Sequence, residues 1–169
     1  MDFSLLHPQL VHLPLALAVL MPFFAAVVAW AWWRKKLPRA AWFLVLGMQV
    51  LLAGGAFAAK QAGEEAEERV EHVVAEQVIE EHAEAAEAFV VAAAVTTLPF
   101  LLAAFVRKES VALGLAAVSS LSSCVPLVLA ILAGQSGGAL VYEHGAANAY
   151  IDAAGSQAAT RSADDDDDD

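Results

Sequence analysis

Four long stretches of this sequence, 13–33, 40–59, 88–106 and 110–142, contain no Asp, Glu, Lys or Arg. Charged residues make up 17% of the chain, against about a quarter in an ordinary soluble domain. A soluble bundle is excluded by this distribution, because each of its helices would need a wet face. Cysteine is nearly absent: Cys124 stands alone, so there is no intrachain disulfide and no Cys-x-x-Cys-His haem attachment. No Gly-rich phosphate loop and no nucleophile elbow occur. The Glu-x-x-His pair of di-iron bundles is missing too, since Arg69 precedes His72 by three and Ile79 precedes His82 by three. A net charge of −11 goes with no nucleic-acid partner.

What is present is apolar sequence of membrane-crossing length. A helix needs roughly 20 apolar residues to cross the hydrocarbon core, and a charge at its centre costs about 2.5–3.5 kcal/mol on insertion scales. Runs such as Leu15-Ala16-Leu17-Ala18-Val19-Leu20 show no period of two, so a transmembrane barrel is excluded. The expected fold is all-α: an integral membrane four-helix bundle, residues 1–145, in contact with lipid. Its spans fall at about 9–33, 40–60, 86–106 and 110–136, with an acidic extramembrane helix over 62–86 before the third span. Residues 146–169, ending in six consecutive Asp, are expected to be a disordered acidic tail.

The basic residues orient the chain. Arg34, Lys35, Lys36 and Arg39 separate the first two spans, and Arg107 and Lys108 separate the last two. The positive-inside rule predicts that both short loops face the cytoplasm, with both termini on the outer side of the membrane. No basic segment precedes 13–33, so that span is expected to be an uncleaved anchor. Between Glu64 and Glu87 there are ten Glu against one Arg. Val70, Val73, Val74 and Val78 recur there at helical spacing, a stripe expected to pack on protein rather than on anionic headgroups. Pro22, Pro99 and Pro126 are expected to kink their spans. Cys124 and the serines at 119–123 are small residues expected to pack between helices, and Gln49 is the one strongly polar residue inside the second span.

The chemical signal lies in the histidines. On this topology His7, His12, His72, His82 and His144 all lie at or beyond the outer boundary. His12 opens the first span, His82 precedes the third and His144 follows the fourth, so three helix ends present imidazoles at one depth. His7 and His12, five residues apart, cannot face one point on an unbroken helix. His72, beside Glu71, is expected to be a surface residue. Imidazoles in this position can ligate a metal or haem iron, carry protons, or hydrogen-bond at the boundary.

The run His7-Pro8-Gln9-Leu10-Val11-His12-Leu13-Pro14-Leu15-Ala16 resembles the HPxLVHFPIAL opening of a bacterial membrane family catalogued as domain of unknown function 2231. Gly138-Ala139-Leu140-Val141-Tyr142-Glu143-His144-Gly145 is similar to that family's closing G-x-LVYxHG. Glu81-His82-Ala83-Glu84 is a weaker match to its histidine before the third helix. Leu13 stands where the family usually has Phe. The resemblance implies a four-helix membrane domain with His7, His12, His82 and His144 as signature residues. Two functions follow. One is a redox subunit holding b-type haem or a transition metal through these four histidines, served by a basic periplasmic electron carrier or by other membrane subunits. The other is a scaffold without independent catalysis, in which the histidines and Tyr142 tie helix ends together.

Overall fold

The computed structural model describes residues 7–150, and among these every regular element is helical. A short helix α1 (His7–Leu10) leads through Val11 into α2 (His12–Trp33). A 3-10 turn, Arg39–Ala41, opens α3 (Trp42–Val70). Then follow α4 (Glu76–Phe105), α5 (Glu109–Ser122) and α6 (Cys124–Tyr142). Four helical stretches are long and apolar enough to cross a bilayer: His7–Trp33, Arg39–Val70, Glu76–Phe105 and Glu109–Tyr142. Their outward faces are apolar, with Phe23, Leu44, Val95 and Leu121 all well exposed, as lipid contact requires.

The helices form a ring in which α2 and α4 each pack on α3 and on the α5–α6 helix. Small residues at the contacts let the backbones approach, which is how helices associate where lipid removes the hydrophobic incentive. Ala18, Ala25, Ala93, Ala103, Ala112 and Ala116 are fully buried along the seams. Gln49 is buried too, and its amide donates to the Ala93 carbonyl at 3.0 Å and to Thr96 Oγ1 at 3.2 Å. Its own Oε1 has no partner.

At the end bearing the two basic loops, aromatic rings fill the bundle. Trp42 stacks on Phe100 with centroids 5.6 Å apart, and its Nε1 donates to the Phe100 carbonyl at 3.1 Å. Arg39 caps α4: its guanidinium donates to the carbonyls of Ala103, Ala104 and Val106, which the helix terminus leaves unpaired. Lys35 pairs with Glu109, which also accepts from Trp32 Nε1 at 3.3 Å.

Several features differ from the sequence expectations. The acidic segment is helical but divided, its first part extending α3 and its second beginning α4, with a break over 71–75. The valine stripe explains the division. Val70, at the end of α3, and Val74, within the break, turn inward and pack with Ile79, Leu140 and Ala146 in a second apolar cluster. The hairpin thus clasps the end of α6. Ala149 and Tyr150 also pack on this cluster, and the hexa-Asp run lies outside the described residues. Pro22 and Pro99 lie inside α2 and α4, and the last span breaks at Ser123, three residues before Pro126. Ser119, Ser120 and Ser123 are buried as expected, their hydroxyls donating to carbonyls of the preceding turn. Cys124 is exposed instead, since it falls on the outward side of that break.

Candidate functional site at the acidic end

Two of the four signature histidines are drawn into the bundle. The helical start at His7 turns its imidazole toward α3, where Nδ1 lies 2.8 Å from the Ala59 carbonyl. A carbonyl only accepts, so Nδ1 carries the proton and Nε2 keeps a lone pair. His82, one turn before the charge-free part of α4, reaches α6, with Nδ1 3.0 Å from Ser136 Oγ. The Ser136 hydroxyl spends its proton on the Ala133 carbonyl at 3.1 Å, so His82 Nδ1 donates here as well. With these acceptors at Nδ1, the neutral forms of the two imidazoles share one tautomer, in which Nε2 carries the lone pair.

Glycines make room for both rings. A Cβ at Gly63 would lie 3.1 Å from His7 Cε1, and one at Gly137 would lie 2.9 Å from His82 Cε1. Burial holds the His82 imidazole below its ordinary range, and the nearby charge of His7 lowers it further, against a smaller raise from the Ala133 carbonyl. A charge on His7 thus opposes protonation of His82 on a different helix. Lys60 and Glu64 form an ion pair along α3 close by.

The other two signature histidines stay outside this arrangement. His12 is exposed, which agrees with the rotation that separates it from His7, and His144 is exposed just beyond the end of α6. His72 is a surface residue 3.8 Å from Glu71. Tyr142 is 89% exposed, so its side chain ties no helix ends together. Among the described residues, no three His, Cys, Asp or Glu side chains converge as a metal cage would require. Sequence reasoning missed Ser136, Gly63, Gly137 and the Ala59 carbonyl. The only sign of them was a concentration of small residues at 134–138, which reads equally well as packing.

These observations define a four-span helical membrane protein with a histidine pair at one end of its bundle. The chain belongs to the family described as "Predicted membrane protein (DUF2231)", which it matches over residues 4–150. No curated protein and no solved structure shows significant similarity to it.

Proposed function

We propose that this protein is a redox subunit of a bacterial inner membrane whose acidic, periplasmic end binds a transition metal or the iron of b-type haem. Its crossing segments are 9–33, 40–60, 86–106 and 110–136. The reading rests on the shared tautomer of His7 and His82. In metal sites a ligating imidazole characteristically donates its other ring N–H to a carbonyl or similar acceptor, which fixes the ring and raises the basicity of the free nitrogen. His7 and His82 would hold haem iron or a copper ion through these nitrogens, and the bound group would supply one-electron transfer. His12 and His144, exposed at the same end, are outer members of the set. The Glu-rich ends of α3 and α4 would receive a basic electron carrier, because a surface of one sign speeds encounter with its opposite.

The test is a reduced-minus-oxidised spectrum with metal analysis on protein purified in mild detergent from a haem- and metal-replete host. His7→Ala and His82→Ala are each expected to abolish cofactor retention. His12→Ala and His144→Ala should weaken it by about 10–100-fold, as losses around a first ligand sphere do. His72→Ala should leave it intact. Colourless, metal-free wild-type protein would sink the redox reading.

One observation favours the scaffold in that event. His7 joins the N-terminal helix to α3, and His82 joins α4 to α6. Removing either would then cost only about 1 kcal/mol of stability, the worth of one net hydrogen bond.

A further inference from the structure

At the opposite, basic end an open-sided groove runs between α2 and α5. Ala26, Ala29, Leu113 and Ala117 form its floor, and Trp30 and Trp33 stand at its rim. Its volume is ≈ 480 Å³, within the roughly 300–1,000 Å³ typical of small-molecule sites. The groove opens outward: Trp30 is 51% exposed and Trp33 60%. Not all the basic side chains of this end are free to meet a ligand. Lys35 is tied to Glu109, and Arg39 to the carbonyls at the end of α4. Arg34 and Lys36 rest instead on the groove's own rim. The Arg34 guanidinium lies 5.8 Å from the centre of the Trp33 ring, and Lys36 Nζ lies 5.0 Å from that of Trp30. An apolar trough thus ends at two cations held in place by the aromatic rings that border it.

We propose that this groove binds one anionic phospholipid, with an acyl chain along the alanine floor and its phosphate between Arg34 and Lys36. Charge selects the occupant. A second copy of this chain in the same orientation would bring its own Arg34, Lys36, Arg107 and Lys108 to the same membrane depth, and like charges would oppose the contact. A phosphate diester carries the opposite sign. Tryptophan at headgroup level suits the junction, because its ring is apolar while its N–H is polar.

Native mass spectrometry of the full chain in mild detergent tests this, using phosphatidylglycerol and phosphatidylcholine with identical acyl chains as probes. Phosphatidylglycerol is expected to bind about 25-fold more tightly, about fivefold for each of the two cations. A surface cation contributes about fivefold to the attraction of an anionic lipid, so Arg34→Gln and Lys36→Gln should each weaken phosphatidylglycerol by about that factor and weaken phosphatidylcholine, whose choline offsets its phosphate, much less. Ala117→Phe, which fills the trough, should remove the tight adduct. Equal binding of the two lipids, or an undiminished preference in the double glutamine variant, would overturn the proposal. So would a wild-type dimer that Ala117→Phe dissociates, since the groove would then belong to a second copy. Should Ala117→Phe fail to fold, the exposed glutamine substitutions still decide the matter.

Discussion

At the scale of single residues, Gly137 and His82 make one unit. Glycine within a helix normally costs about 0.5–1 kcal/mol relative to alanine, so Gly137→Ala would stabilise α6 if nothing else changed. A Cβ 2.9 Å from the imidazole must displace the ring, which strains its bond to Ser136. Gly137→Ala is therefore expected to lower the thermal midpoint in detergent despite the better helix former. The pH dependence should change with it. Folded His82 binds a proton less readily than it does in the unfolded chain, where its value is near 6.5. Its contribution is thus complete above about 6.5 and is lost as pH falls below that toward the folded value. Wild-type protein should melt at a lower temperature at pH 5.5 than at pH 8, and the difference should shrink in Gly137→Ala and in His82→Gln. A Gly137→Ala protein that melts higher, with the pH effect intact, would show that the ring is not held as described. The four histidines were legible in the sequence as a set sharing one end of the spans. Which two turn inward was not, because the choice depends on partners 52 and 54 residues away in the chain.

At the scale of elements, the charge-free runs located all four crossing helices, since nothing else accounts for their length and purity. Their ends were harder to read. Arg39 looked like one loop cation among six, yet it closes the C-terminus of α4 through three carbonyls. Hydrogen bonds to a charged group contribute about 1.5–3 kcal/mol, so Arg39→Gln should destabilise the bundle by roughly that much. Arg39→Lys should fall between, because an ammonium is a point charge without the guanidinium fork. Fluorescence melts reporting on Trp32 and Trp42, which neighbour the cap, would measure both. Unchanged melting of Arg39→Gln would mean that water serves these carbonyls as well. The break in the acidic segment was hidden for another reason. Ala, Glu and Gln favour helix throughout 64–87, and only contact with Leu140 and Ala146 makes the chain fold back between Val70 and Val74.

At the scale of the molecule, charge is sorted by end: basic loops on one side, ten Glu of the α3–α4 hairpin on the other. A periplasmic reporter fused after Arg161 is expected to be active and one fused at Lys36 silent. The reverse pattern would invert the assignment of sides while leaving the histidine pair and the lipid groove at opposite ends. The alanine seams carry a consequence for a membrane that holds a voltage. Where side chains end at Cβ, helix axes can close to about 8 Å, and no chain of water fits between them. An ion attempting that route would exchange its hydration for little beyond Gln49, Thr96 and the buried serine hydroxyls, although the field rewards each elementary charge with about 2.3 kcal/mol per 100 mV. The bundle is thus expected to pass no ions along its own axis, and a planar-bilayer recording that found a steady single-channel current would contradict this.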